Sequence, residues 1–229
     1  HPIYERILRF MAASLKNSDQ LGSLLRLERT LEYLIAEERK NVDAKKQLDL
    51  SFPGLSQDQF TTQEGIQEFF DILYEQLIRH LNTFVKESRG RKLDPGHFAS
   101  ETAKGLRFLG IVSSQYDVVA TNPPYLSGRK MNKRLAELLK DQYPEGKTDL
   151  YAAFILRCQE LTGPQGFVGM LTMHSFMFIG SYENMRNVLR ENTCVETMAH
   201  FGGGLFAVGN PGTLQTAAHV LRKEADACK

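Results

Sequence analysis

Residues 117–125 read Asp-Val-Val-Ala-Thr-Asn-Pro-Pro-Tyr and are the most informative stretch of the chain. The first part is short, apolar and rich in β-branched residues, which predicts a strand over residues 116–121. The strand runs directly into Asn122 and two prolines, which cannot continue a hydrogen-bonded ladder. Because open α/β sheets bind ligands at the carboxyl ends of their strands, the motif predicts a functional loop at such an edge.

Strands and helices alternate after this motif. The predicted elements are a helix over residues 150–161, a strand over 166–173, a helix over 182–191, and strands over 194–201 and 213–222. Ser181 is the expected N-cap of the second helix. The strand over 166–173 is apolar on both faces, as a buried parallel strand is. The pattern predicts an open α/β sheet that ends in a hairpin.

The part of the chain before this sheet has a different texture. Apolar residues keep helical spacing over residues 66–85, and Thr61 and Glu64 form a capping box ahead of them. A further helix is expected over residues 98–113. We therefore divide the chain into a mainly helical insertion or linker region, residues 1–114, and an α/β region, residues 115–229.

Composition excludes several classes of protein. The 229 residues carry 28 Lys and Arg against 27 Asp and Glu, so binding to nucleic acid must rest on local basic patches. The three cysteines and six histidines show no metal-ligand spacing, and no metal site is expected. No apolar run approaches the roughly 20 residues of a membrane span. A cytoplasmic protein without a membrane partner is the simplest interpretation.

The Asn-Pro-Pro-Tyr loop combines hydrogen-bond acceptors with an aromatic ring. The prolines hold Asn122 and Pro123 extended, which can place the Asn122 side-chain oxygen beside the Pro123 carbonyl. Two such acceptors could hold both hydrogens of an exocyclic amine and leave its lone pair facing a methyl donor. Tyr125 adds a flat face for a planar base, which must first leave its duplex. The alternative is a proline-stiffened strand exit with a core tyrosine.

This motif resembles the target-base motif of the amino-methyltransferases that use S-adenosylmethionine. The resemblance extends to the adenine-specific DNA methylases of phage-exclusion (BREX-type) and fused restriction–modification systems. The stretches that carry it are residues 122–125, 127–132, 147–151 and 166–172, and residues 21–25 are similar to a short stretch that precedes the target motif in those proteins. It covers residues 116–222 well and the first hundred residues only loosely. It implies the target-base half of a Rossmann-like methyltransferase sheet over residues 115–229.

The resemblance implies roles for the motif residues. Asn122 and Pro123 would hold the adenine amine, Tyr125 would stack on the base, and these three are the expected catalytic residues. Pro124 is an expected substrate-binding residue, and Asn122 would also face the cofactor. The implied reaction transfers a methyl group from S-adenosylmethionine to the N6 amine of an adenine flipped out of double-stranded DNA.

Three further residues are expected to bind the substrate. Phe206, in the loop before the last strand, would pack on the other face of the base, with Phe201 as the alternative. Arg129 and Lys130 follow the motif directly, where the phosphates of the flipped strand would pass. A solvated helix face is the alternative interpretation of these basic residues. Other restriction or phage-defence subunits are expected partners.

The cofactor loop of these methylases has no counterpart in the sequence. Residues 93–98 lack the paired glycines, and residues 202–204 follow a strand but precede no predicted helix. We therefore expect a fragment whose cofactor half lies upstream of His1 and which is inactive alone. Two alternatives stay open: methylation of an RNA adenine or a protein glutamine amide, and a methylase-like module that only binds DNA or protein.

Overall fold

The computed structural model describes residues 114–203, 205 and 214–224, together with residues 24, 26, 72, 107, 108 and 110–112. The chain divides into two compact units, His1–Ser114 and Gln115–Lys229. Most of the first unit, including nearly all its predicted helices, lies outside the described residues, as does Phe206. The helices and strands with described bounds all belong to the second unit. Among the described residues, no helix has both the length and the apolar character of a membrane span.

Seven helices and strands and three short 3-10 turns make up the described part of this unit. In chain order they are β1 (Tyr116–Thr121), a turn (Gly128–Lys130), α1 (Lys133–Gln142), α2 (Leu150–Leu161), β2 (Thr162–Met173), two turns (His174–Met177 and Gly180–Tyr182), α3 (Glu183–Asn192), β3 (Thr193–Gly202) and β4 (Thr216–Lys223). The alternation confirms the predicted α/β class.

The four strands form one mixed sheet in the order β1-β2-β4-β3. β1 pairs parallel with β2, with Val119 opposite Val168. β4 is antiparallel to both of its neighbours, with Ala218 opposite Leu171 on β2 and Ala199 on β3. The last two strands are therefore an antiparallel pair, as predicted. β1, β2 and β3 all run the same way, so their carboxyl ends lie at one edge of the sheet.

The core lies under one face of this sheet. α2 is buried at nine of its twelve positions and contacts β1 and β2. Val168 and Leu221, opposite each other on β2 and β4, are almost fully buried, and full burial of such a side chain contributes about 2 kcal/mol. The other face is more exposed: Val118 is 63% and Phe167 39% accessible. The expectation that β2 is buried on both faces is therefore wrong for the residues described.

Several predicted element boundaries also differ from the structure. β3 and β4 span Thr193–Gly202 and Thr216–Lys223 where 194–201 and 213–222 were predicted. α3 begins at Glu183 and not at Tyr182, and Ser181 is not its N-cap, because it lies in the preceding turn. The physical reason is the Tyr182 side chain, which is buried and tilted against the ring of Tyr151 at 6.0 Å. β2 begins at Thr162, whose hydroxyl donates to the Cys158 carbonyl at 2.7 Å where α2 ends.

Candidate functional site

The Asn-Pro-Pro-Tyr loop leaves the sheet at the carboxyl end of β1. The β1–β2 ladder ends at Thr121, opposite Met170, because neither of the next two prolines has an N–H to continue it. Asn122 and Pro124 are exposed, Pro123 is buried and Tyr125 is half-buried. The exposed Asn122 side chain therefore lies at the edge of the sheet, next to the buried Pro123.

The Tyr125 hydroxyl ties this turn back to the sheet. Its oxygen lies 3.2 Å from the Leu171 carbonyl on β2 and 3.3 Å from the Asn122 side-chain oxygen. A hydroxyl has one proton to donate, so the two acceptors share it. Burial raises the pKa of Tyr125, which keeps the hydroxyl protonated as a donor. The structure thus brings Asn122 and Tyr125 into contact, which was not predicted from the sequence, and the roles of Asn122, Pro123 and Tyr125 stay predictions.

An aromatic cluster supports Tyr125 from behind. The ring of Tyr151, fully buried at the first turn of α2, meets the Tyr125 ring edge to face at 6.1 Å. The Tyr151 ring also contacts Phe176, at 6.5 Å, and its hydroxyl lies 2.9 Å from the Ser175 hydroxyl oxygen. Tyr151 lies within a stretch that carries the family resemblance, but no role for it was predicted from the sequence. An aromatic residue just inside an N-cap was the available signal.

Asp149 fixes the end of the loop. One carboxylate oxygen of Asp149 accepts from the backbone N–H of Leu126 at 3.0 Å and of Tyr151 at 3.4 Å. Around it the backbones pair: Leu150 N–H donates to the Leu126 carbonyl at 3.0 Å, and Gly128 N–H to the Thr148 carbonyl at 2.9 Å. We call this pairing of residues 126–128 with 148–150 the exit clamp. The clamp was not predicted from the sequence, although an Asp before an apolar helix signals an N-cap.

The structure describes Arg129 and Lys130 of the expected substrate-binding residues but not Phe206. Arg129 and Lys130 are exposed on the short turn Gly128–Lys130, directly after the loop. Phe201, the alternative to Phe206, lies near the end of β3 and is 45% accessible. Since Phe206 is outside the described residues, the choice between the two aromatics stays a prediction.

Two histidines meet at the same edge of the sheet. His174 follows β2 directly, and its Nδ1 lies 2.7 Å from Nε2 of His200, near the end of β3. The rings are stacked, with centroids 5.0 Å apart. Burial, and the neighbouring His200, lower the pKa of His174. Sequence spacing could not reveal this pair. Across the part of the chain that the structure describes, no three His, Cys, Asp or Glu side chains are grouped to hold a metal ion.

Comparison with known families gives this geometry a context. A family model described as Eco57I restriction-modification methylase matches residues 26–206. The chain belongs to this family. The match includes β1, the Asn-Pro-Pro-Tyr loop, α2 and β2. The family assignment thus confirms the resemblance on which the target-base prediction rests.

Individual relatives agree with the family. The chain is 37% identical over 124 residues to the adenine-specific methyltransferase BrxX of Escherichia coli O9:H4 (strain HS), which covers 54% of the chain and 10% of that protein. It is 38% identical over 113 residues to the adenine-specific methyltransferase PglX of Lacticaseibacillus casei (strain Zhang), over 49% of the chain and 9% of that protein. The chain therefore spans about a tenth of the length of these curated relatives.

Solved structures also include similar chains. One is the ATP-dependent Type ISP restriction-modification enzyme LlaBIII bound to DNA, 18% identical with a TM-score of 0.41, covering 56% of this chain and 10% of that one. Another is a nuclease-deletion mutant of the Type ISP enzyme LlaGI with a DNA substrate mimic, 15% identical with a TM-score of 0.41, covering 86% and 22%.

Proposed function

We propose that this chain forms the target-base half of an S-adenosylmethionine-dependent methyltransferase that acts on the N6 amine of adenine in double-stranded DNA. The observation that carries the proposal is the loop after β1, where Asn122 is exposed beside the hydroxyl of Tyr125. Membership of a restriction-modification methylase family supports the reaction class, and relatives named adenine-specific methyltransferases support the target atom.

Hydrogen bonding is the main task of the loop in this proposal. The Asn122 side-chain oxygen and the Pro123 carbonyl each accept one hydrogen of the adenine amine, so the nitrogen lone pair points away from both. The Tyr125 hydroxyl, which shares its proton between Asn122 and Leu171, turns fully to the Leu171 carbonyl when the amine arrives. A lone pair held in this orientation would face the methyl group that bound S-adenosylmethionine would supply, and the amine proton would leave to water.

S-adenosylmethionine supplies the methyl group in this scheme. The described residues fit the base side of such a site: an exposed acceptor at Asn122 and a half-buried aromatic ring at Tyr125. They do not fit its methionine-binding loop, because the described glycines Gly202 and Gly203 lie at the end of β3 and the next described element is the strand β4. Apart from Asn122, we therefore assign no residue in the described part of the chain to the binding of the cofactor.

Double-stranded DNA is the proposed substrate, because basic residues border the loop on its exit side. Arg129 and Lys130 are exposed, and Lys133 and Arg134 follow at the start of α1. Residues 126–136 contain no Asp or Glu, so this stretch carries a local positive charge on a chain of net charge +1. Such residues contact phosphates and position a strand whose base has left the stack. Association with other restriction or phage-defence subunits stays a prediction.

The test is methyl transfer by the full-length protein with radiolabelled S-adenosylmethionine. Duplex DNA, RNA and a protein with an accessible glutamine amide are offered in parallel, and label is expected in DNA at adenine N6. Loss of one preorganised polar contact costs about 3–4 kcal/mol of transition-state stabilisation. Asn122→Ala should therefore lower kcat by about 10²–10³-fold.

Asn132→Ala is the matched control, because Asn132 is an exposed asparagine whose side chain caps α1 by accepting from Leu135 N–H at 2.9 Å. Its kcat should stay within threefold of wild type. Methylation unchanged by Asn122→Ala would contradict the assigned role of Asn122. Label in RNA or in the glutamine protein alone would replace the substrate class, and DNA binding without any methyl transfer would favour the non-catalytic module.

A further inference from the structure

We propose that Asp149 is a positioning residue for methyl transfer: by bonding the Leu126 amide, it sets the orientation of the Asn-Pro-Pro-Tyr loop. This inference rests on the proposed function of that loop. Asp149 lies 27 positions after Asn122 in the sequence and has no place in the target motif. It is only 8% accessible, so it acts through the loop and not on the base itself.

The loop needs an anchor at its far end. Its near end is fixed by the ladder of β1 with β2, which stops at Thr121. The prolines stiffen the turn internally, but a stiff segment held at one end can still swing about that end. The bond from Leu126 N–H to the Asp149 carboxylate, at 3.0 Å, holds the first residue after Tyr125. Asn122 is thereby held between two fixed points.

The same oxygen also fixes what lies beneath the loop. It caps α2 through Tyr151 N–H at 3.4 Å, and the Tyr151 ring supports the Tyr125 ring. One atom thus sets the register of the loop, through Leu126, against the helix that carries its aromatic support. The Leu150–Leu126 and Gly128–Thr148 backbone bonds of the exit clamp do not depend on the Asp149 side chain. Loss of the carboxylate should therefore shift the loop without unfolding the clamp.

Side chains of different length at position 149 can separate the two roles of Asp149, capping α2 and bonding the Leu126 N–H. Asparagine retains a carbonyl oxygen where the carboxylate oxygen stood, so Asp149→Asn keeps both bonds. Serine caps a helix about as well as aspartate, but its oxygen ends one bond nearer the backbone, so Asp149→Ser keeps the cap and loses the Leu126 bond. Asp149→Thr has the same reach as serine and serves as a second variant. Asn132→Ser makes a comparable change at the N-cap of α1 and is the matched control.

Two readouts in the full-length protein test the proposal. The first is the kinetics of methyl transfer to duplex DNA; the second is hydrogen exchange in the peptide that contains Leu126. We expect Asp149→Ser and Asp149→Thr to lower kcat at least tenfold with KM for DNA within twofold, and to speed exchange at Leu126. Asp149→Asn should stay within threefold of wild type in kcat, and Asn132→Ser should change neither readout. The melting temperature of Asn132→Ser should change little, and that of Asp149→Ser should fall by the amount that one lost hydrogen bond at Leu126 implies.

Each result bears on the proposal in one direction. A kcat for Asp149→Ser equal to that of Asp149→Asn would overturn it, as would faster exchange at Leu126 with undiminished kcat. An equal loss of kcat in Asn132→Ser would reduce the effect to general instability and also overturn it. Failure of the proposed function looks different, because the wild-type protein itself then transfers no methyl group to DNA, while exchange at Leu126 still reports whether Asp149 holds the loop.

Discussion

Substitutions at Tyr125 separate the ring from the hydroxyl. The hydroxyl makes two long contacts, 3.2 Å and 3.3 Å, with a single proton, so it contributes no more than one ordinary hydrogen bond, about 1 kcal/mol. The ring offers a stacking face worth about 1–3 kcal/mol per base. It also makes the edge-to-face contact with Tyr151 at 6.1 Å, of a kind worth about 0.5–1.5 kcal/mol. The ring should therefore dominate.

These magnitudes give an order of activities. Tyr125→Phe keeps the ring and should lower kcat/KM for duplex DNA by no more than about fivefold, the equivalent of one hydrogen bond. Tyr125→Ala should lower it by about 10–100-fold, on the scale of a lost stacking contact. The assay is methyl transfer by the full-length protein at constant salt, with thermal melting of each variant as the folding control. Equal losses in the two variants would refute the stacking role and assign the function of Tyr125 to its hydroxyl.

Three further predictions concern stability and DNA binding. Burial lowers the pKa of His219 from 6.5 to about 4, so below about pH 6.5 the unfolded chain takes up a proton that the folded chain does not. The free energy of unfolding should therefore fall by about 2 kcal/mol from pH 7 to pH 5 because of this residue. Denaturant melts at the two pH values should show that decrease in the wild type and lack it in His219→Leu. A Cβ at Gly146 would lie 2.8 Å from a backbone nitrogen of α2, so Gly146→Ala should lower the free energy of unfolding by about 1–3 kcal/mol in the same melts. Gly180 has open space around it, so Gly180→Ala should change that free energy little. Replacing Arg129 and Lys130 together with alanine should reduce, by about 1.8, the steepness with which the log of the duplex-DNA binding constant falls with log salt. An unchanged slope would show that neither residue contacts a phosphate.

The sequence predicted the parts of the fold that depend on local pattern. β1 and α2 have the predicted bounds because a β-branched run ended by prolines, and an apolar helix ended before Gly163 and Pro164, are both local signals. The predicted start of α3 was wrong because burial of the Tyr182 ring, a tertiary contact, overrides the capping preference of Ser181. The apolar residues of 166–173 predicted a strand buried on both faces, which was wrong because a local pattern does not show whether another element covers each face of the sheet.

In the site, too, local contacts could be anticipated from the sequence and tertiary contacts could not. Asn122 and Tyr125 are three residues apart, and their contact follows from the loop itself. The Asp149 bond and the histidine pair join residues 23 and 26 positions apart, and neither has a spacing that sequence reasoning can recognise. The histidine pair forms because β2 and β3 end at the same edge of the sheet, and the Asp149 bond forms because α2 begins beside the segment that leaves β1. Both depend on the tertiary arrangement of the elements.

The position of the Asn122 oxygen is therefore a property of the sheet more than of the four residues around it. The loop is held at three places: by the β1–β2 ladder at Thr121, by the Leu171 carbonyl at the Tyr125 hydroxyl, and by Asp149 at Leu126. All three anchors depend on residues that follow the loop in sequence by more than 20 positions, namely Met170 opposite Thr121, Leu171 and Asp149. A peptide that carried Asn-Pro-Pro-Tyr alone would have the stiffness of its prolines but none of these anchors. Preorganised acceptors stabilise a transition state only if they do not move when the charge develops, which is why loss of the Asp149 bond should lower the rate although Asn122 itself is unchanged.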